Sequence, residues 1–364
     1  MPSTRVPRVI FDASSLRYLH TGLGQVSYHF LQEWSLLNPH DMQLYALVHP
    51  RLRNLVPPNI NIEPANYLRR HAPPGLQRFL YFGRNLWHMS TENTRLTGIP
   101  PGVPLIITIQ GLHFLDEIEG EKAQKELMKV QQLVNRSVVI TTGSQFTADL
   151  VRSKLDIGRK SIQVIPYGVK IGAPSEKPPS WAPTTPFLFS VATFFERKNL
   201  HVLIPMMKYL PEYKLILAGD SNRSYGKRII DLIRSQELEN QILLPGEITE
   251  QEKFWLYTNG EALLFPSISE GFGIPTIESF NFGKPVCSSR YGSLPEVGGE
   301  FATYWDNFEP EYMANTVRSA LSQDARLSEK RKEYAAQFTW SKMVERYHEL
   351  YRRILAGELQ VPSV

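Results

Sequence analysis

Apolar residues recur along this chain in short runs, and between the runs they return every three or four positions. The runs read as strands buried on both faces, and the periodic stretches read as helices packed against them. In the first half, strands are expected at 8–12, 44–48, 105–109, 138–142 and 162–167. One helix is patterned by Val26, Phe30, Leu31 and Trp34, and another covers 121–135. Alternation restarts with strands at 187–191, 215–219, 242–244, 263–265 and 285–288, and helices near 199–209, 224–236, 250–259 and 309–322. Val344, Tyr347, Tyr351 and Ile354 keep helical spacing along a last element after Thr339. Strand and helix in strict alternation, twice over, predict an α/β protein with two Rossmann-like, doubly wound parallel sheets facing across a cleft.

The break between the two series is 172–186, GAPSEKPPSWAPTTP, with five prolines. That density fits neither helix interior nor central strand, so it is expected to be a flexible linker. The expected division is 1–171, the linker 172–186, a second domain 187–340, and a helix 341–364 that crosses back toward the first. Residues 51–95 are the least regular part, with seven arginines among the aromatics Tyr67, Phe79, Tyr81, Phe82 and Trp87.

Composition narrows the class. A chain of 364 residues, 42% hydrophobic and 21% charged, is long enough for two cores and is neither disordered nor membrane-spanning. The start reads directly into a strand without the apolar core of a secretory signal. A single cysteine, Cys287, excludes an internal disulfide and fits a reducing compartment, so a cytoplasmic location is expected. The net charge of +4 divides unevenly: residues 1–170 carry +7 and the remainder −3. A basic half with interleaved aromatics reads as a surface for an anionic membrane, hence a peripheral location, or as a solvated basic face. Nothing in it resembles a nucleic-acid-binding module.

The stretch with the most chemistry is 265–285, FPSISEGFGIPTIESFNFGKP. It reads as a strand end, a glycine-bearing loop and a helix that Pro275 can start. Glu270 and Glu278 bracket the turn, and Gly271 and Gly273 leave the backbone bare beside a helix start whose amides suit an anion. Two carboxylates beside a phosphate-attracting helix fit a ligand with phosphate in its middle and hydroxyls at both ends, such as a nucleotide sugar. The plain alternative is a buried strand, turn and helix whose glutamates face water. Arg197 and Lys198 follow the strand at 187–191, where their charges can face the same cleft.

Glu270-x7-Glu278, with Gly271-Phe272-Gly273-Ile274-Pro275 inside it and 287–297, CSSRYGSLPEV, after it, resembles the donor-site signature of glycosyltransferase family 4. The resemblance implies the two-domain GT-B fold and a retaining transferase. That enzyme moves a hexose-type sugar from a nucleoside diphosphate sugar, with GDP-mannose a candidate donor, to a glycan or lipid-linked acceptor. It implies Arg197 and Lys198 on the diphosphate, Glu270 near the sugar hydroxyls, Glu278 on the ribose, and the loop through Ile274 and Thr276 on the donor. The segment 244–248 resembles the one whose backbone packs on the nucleobase, which brings in Gly246 and Ile248. After the first strand, Gly22 and Gly24 match a phosphate and acceptor loop, or make a tight turn only. After the strand at 105–109 many relatives carry His-Asp, whereas this chain has Gln110-Gly111, with His113 three residues on as a replacement candidate. Gly143 to Thr147 resembles the family's Ser-x-Phe-Thr element, read as a helix cap. No Asp-x-Asp occurs, so no metal and no cofactor are expected. Two further readings stay open: a catalytically silent nucleotide-sugar-binding protein, and a synthase or phosphorylase of the same fold.

Overall fold

The computed structural model describes residues 6–19, 21–64, 76, 83, 85–93, 99, 102–170, 172–175 and 177–359. The chain divides into two compact units, Met1–Gly168 with Thr339–Val364, and Val169–Phe338.

In the first unit the strands are β1 (Arg8–Asp12), β2 (Gln43–Val48), β3 (Asn61–Pro64), β4 (Leu86–Met89), β5 (Leu105–Ile109), β6 (Val139–Thr142) and β7 (Ile162–Val164). They form one parallel sheet in the order β3-β2-β1-β4-β5-β6-β7. Val9 pairs with Leu44 on one side and with Leu86 on the other. The apolar runs were legible because both faces are covered: every residue of β5 is buried. Two strands arise where the sequence looked irregular, β3 and β4. Trp87, grouped above with surface aromatics, is 2% exposed in the middle of β4, so it belongs to the core. Tyr67, Phe79, Tyr81 and Phe82 lie outside the described residues.

The helix Gly22–Leu37 and the helix Trp340–Leu355 pack on this unit through aromatic rings: Phe30 on Tyr347, and Trp34 on His348 and Tyr351. His29 stacks on Trp340 at 4.8 Å. Ser144 caps the helix Gln145–Lys154 by accepting from the Thr147 amide at 3.1 Å, which is the structural role read for 143–147.

The second unit holds β8 (Phe187–Val191), β9 (Lys214–Ala218), β10 (Ile242–Gly246), β11 (Leu263–Phe265), β12 (Val286–Ser289) and β13 (Thr303–Trp305). All are parallel, in the order β10-β9-β8-β11-β12-β13. The helix expected near 199–209 is broken into a single α-turn, Leu203–Met206, flanked by the 3-10 turns Leu200–Val202 and Met207–Tyr209. Pro205 lies within it and cannot supply the amide a longer helix would need. The helices Leu294–Gly298 and Asp324–Ala335 were not anticipated.

The proline-rich segment is not a free tether in its described part. The Ser175 amide donates to Thr258 Oγ1 at 3.1 Å, and Trp181 Nε1 donates to Glu252 Oε1 at 3.2 Å. Both partners belong to the helix Glu250–Asn259, so the segment is strapped onto the second unit.

Each sheet has one place where the strand order reverses: between β1 and β4 in the first, between β8 and β11 in the second. Loops leaving adjacent strands in opposite directions open a crevice there, beyond the carboxyl ends. Among the described residues, no helix is long and apolar enough to cross a membrane.

Candidate active site

In the second unit the reversal brings together the loops after β8 and β11. Arg197 and Lys198 sit on the single turn Glu196–Lys198, closed by Asn199 in the left-handed region at φ 56°. The loop after β11 is tied to that turn. The Ile268 amide donates to Arg197 O at 2.8 Å, and Ser267 Oγ donates to the same carbonyl at 3.0 Å. The consequence is a convergence on one carboxylate. Lys198 Nζ donates to Glu270 Oε1, and Arg197 Nη1 lies 3.8 Å from the same oxygen while donating to Ser269 O at 3.2 Å. Burial lowers the Lys198 ammonium pKa, against the attraction of Glu270 and with the repulsion of Arg197.

Glu270 is held from behind by the continuation of the motif. The Ser293 amide and Oγ both donate to Glu270 O, at 3.1 and 3.0 Å. Gly292 has φ 65°, and a Cβ there would stand 2.8 Å from Glu270 N and O. The chain must therefore be bare at that position.

Gly273 occupies the cap of the helix Ile274–Asn281 at φ 96°, where a side chain would be strained and would meet Leu294 Cδ2 at 2.7 Å. The row of free helix amides is shorter than expected. Pro275 has none, and the Thr276 amide donates to Gly273 O at 3.0 Å, which leaves Ile274. Thr276 adds something else: its Oγ1 is buried without a hydrogen-bond partner. An unmet buried hydroxyl costs about 1–3 kcal/mol, a loss that a phosphate oxygen would relieve. The Phe272 ring is buried and meets Phe338 edge-on at 6.0 Å, so this side chain is packing rather than lining. Gly271 is buried beside it.

Glu278 is fixed by the helix Glu250–Asn259. Its Oε1 accepts from Lys253 Nζ at 2.6 Å, and its Oε2 accepts from Tyr257 OH at 2.8 Å. Gly246 ends β10 at φ 81° with nothing within 4 Å of where a Cβ would be, and Ile248 beyond it is half-buried.

The first unit carries the remaining candidates at its own strand ends. Gly22 is exposed at the start of its helix. Gly24 is buried, and a Cβ there would lie 2.1 Å from Tyr18 O, so close backbone packing accounts for that glycine. Gln110 Nε2 donates to Ser90 O at 2.9 Å, which directs its amide group back into the protein. The His113 ring folds over Gly111, with Nε2 2.5 Å from the position of an added Cβ.

A residue that the sequence did not single out stands beside them. Glu92, just beyond β4, is 8% exposed and accepts from the Gln110 amide at 2.9 Å. Burial pushes its carboxyl up to about 7, against the hydrogen bonds that favour its charge. Among the described residues, no group of three or more His, Cys, Asp or Glu is arranged to hold a metal ion.

The family match falls in the second unit. Residues 174–338 match the family model described as Glycosyl transferases group 1. The chain is 29% identical over 186 residues to the serotype-specific mannosyltransferase WbdA of Escherichia coli, an alignment covering 49% of this chain and 23% of that protein. The chain thus spans less than a quarter of the length of that relative. Among solved structures, sucrose-phosphate synthase from Thermosynechococcus elongatus superposes with a TM-score of 0.76 at 17% identity, over 96% of this chain and 100% of that one. Anabaena HepE in complex with UDP and glucose gives 0.74 at 16% identity, over 96% and 100%. These likenesses establish the fold alone, two Rossmann-like units each built on a parallel sheet.

Proposed function

We propose that the protein, whose residues 174–338 match the glycosyl transferases group 1 model, is a retaining glycosyltransferase. It moves a hexose-type sugar from a nucleoside diphosphate sugar to a glycan or lipid-linked acceptor. GDP-mannose is the donor to try first, because a mannosyltransferase is among the relatives, at 29% identity over 186 residues.

One observation carries the reading: Arg197 and Lys198, leaving β8, meet Glu270, leaving β11, at the point where strand order reverses. Breaking the bond between an anomeric carbon and a diphosphate leaves about two negative charges on the departing nucleotide. The two cations, the Ile274 amide and Thr276 Oγ1 are the groups available to meet that charge. When they turn to phosphate, Glu270 is released to accept from hydroxyls of the transferred sugar. Glu278 serves the ribose. The acceptor hydroxyl attacks on the face from which the diphosphate leaves and gives its proton to a leaving phosphate oxygen. Configuration is retained, and neither glutamate becomes covalently attached. Turnover is expected to survive exhaustive EDTA, since no step requires a metal ion.

The test is calorimetry with UDP, GDP and ADP, followed by a panel of nucleotide sugars scored for slow hydrolysis and for the anomeric configuration of the product. Tight binding of one nucleotide with retained configuration supports the proposal. Failure of all three nucleotides to bind overturns it. Binding without any hydrolysis or transfer favours the silent binding protein, a reading that draws on Gln110 being directed into the protein. The basic first half supports contact with anionic membrane, which predicts retention on anionic liposomes at low salt and none on neutral ones.

A further inference from the structure

The nucleotide-sugar reading leaves unexplained why Glu278 is held so firmly. Its side chain is 10% exposed, and each oxygen has its own donor from the neighbouring helix: Lys253 Nζ on Oε1 and Tyr257 OH on Oε2. Lys253 and Tyr257 are four residues apart in the helix Glu250–Asn259, so they reach from one face.

Tyr257 has no freedom to do otherwise. Its ring is fully buried, stacked on Phe282 at 5.6 Å and set edge-on to Phe189 at 5.3 Å. Burial and then the Glu278 charge raise its hydroxyl far above the usual tyrosine range, so it stays a donor at every working pH. A hydroxyl clamped at both ring and proton fixes the plane of the carboxylate it donates to. Lys253 fixes the other oxygen and balances the charge.

An ionised carboxylate offers about four lone-pair sites. Two are filled here, and the two that remain are oriented by the filled ones. Two oriented acceptors side by side match two adjacent hydroxyls, and the sugar of a ribonucleotide carries such a pair. We propose that Tyr257 and Lys253 are positioning residues that aim Glu278 at the vicinal diol of the nucleotide's ribose, so that selection of ribonucleotides over 2′-deoxyribonucleotides belongs to this three-residue cluster. The inference rests on the reading of the donor as a nucleoside diphosphate sugar.

The full chain is titrated calorimetrically with GDP, UDP and ADP, with the 2′-deoxy form of whichever binds best, and with inorganic pyrophosphate. Wild type is expected to favour the ribonucleotide by about 10- to 100-fold, the range for one hydrogen bond to a charged group. Tyr257→Phe, which removes only the hydroxyl, should shrink that ratio to within about 5-fold while leaving pyrophosphate affinity unchanged. Lys253→Met should shrink it too, and it is the check if the buried variant folds poorly. A loss of structure would weaken pyrophosphate as well and leave the ratio alone. Should both variants keep the wild-type ratio with pyrophosphate affinity intact, the inference is overturned while the donor reading stands. Should wild type bind the two nucleotides equally, the assignment of Glu278 to the ribose fails and takes the inference with it. Binding of no nucleotide at all defeats the donor reading itself.

Discussion

His88, on β4, shares its Nδ1 with the hydroxyl of Tyr351, 263 residues further along the chain. Its Nε2 meets Thr108 Oγ1 at 2.8 Å, and Thr108 continues to Thr141 at 2.7 Å and to Tyr347 at 3.1 Å. This polar chain ties the helix Trp340–Leu355 to β4, β5 and β6. The hydroxyl partners of the imidazole can either donate or accept, so burial and not the hydrogen-bond pattern keeps the ring neutral.

Burial takes the His88 pKa down to about 3, against 6.5 for an unperturbed histidine. Between those values the unfolded chain binds a proton that the folded chain refuses, so this contribution to stability is lost as pH falls from 6.5 toward 3. The slope approaches about 1.4 kcal/mol per pH unit. His88→Gln should destabilise by about 2 kcal/mol at pH 7, through its broken hydrogen bonds. The gap to wild type should narrow steadily at lower pH. Urea unfolding at pH 7 and pH 4.5 checks this, and an equal gap at both values contradicts it.

Glu92 works in the opposite sense. Its folded pKa of about 7 lies above the ordinary 4.5, so the unfolded chain loses its proton first and stability declines as pH rises from 4.5 to 7. Between 4.5 and 6.5 it offsets His88, which predicts a flat pH dependence in wild type where either group alone would give a slope. Glu92→Gln should be no more stable than wild type at pH 4.5 and clearly more stable at pH 8, as read from melting temperatures. Identical shifts at the two pH values would remove the explanation.

Lys198→Ala should lower turnover about 100-fold, by comparison with loss of other charge-stabilising donors. Glu270 keeps Arg197 at 3.8 Å in that variant, so folding should survive. Steady-state rates with the cognate nucleotide sugar decide the matter, and near-normal turnover refutes the role.

Gly292→Ala and Gly102→Ala form a matched pair. Both positions have positive φ, 65° and 82°, so each substitution costs about 1–2 kcal/mol of backbone strain. Only at Gly292 would the new Cβ press on Glu270, since nothing lies within 4 Å of Gly102. Both variants should melt earlier, and only Gly292→Ala should weaken nucleotide binding in calorimetry. Equal affinities would show that Glu270 tolerates a displaced support.

What was legible in the sequence was what short stretches determine. Apart from β3, β4 and β13, the strands of both sheets announced themselves as apolar runs. Arg197 and Lys198 could be placed at the same cleft as Glu270 because each loop follows such a run, and the resemblance supplied their roles. Strand β3 ends in Pro64, and β4 carries a histidine among its buried positions, so neither has a strand's ordinary composition. His88 is tolerable there only because Thr108, Tyr347 and Tyr351 reach it from distant parts of the chain. Glu92 gains its raised pKa from burial that only the assembled fold supplies, with the Gln110 amide just past β5 acting against it. The helix near 199–209 failed for a local reason that was readable, Pro205 in its middle. Tyr257 and Lys253 looked like ordinary helix residues, and only the packing of one helix on another reveals what they hold.

The aromatic face of Gly22–Leu37 and the histidine of β4 are covered by a helix that lies beyond the whole of Val169–Phe338 in the chain. During synthesis the ribosome therefore delivers the complete second unit before it delivers the piece that closes the first. The half made earliest is closed last, and until then its apolar, histidine-bearing surface stays open to water and to wrong partners.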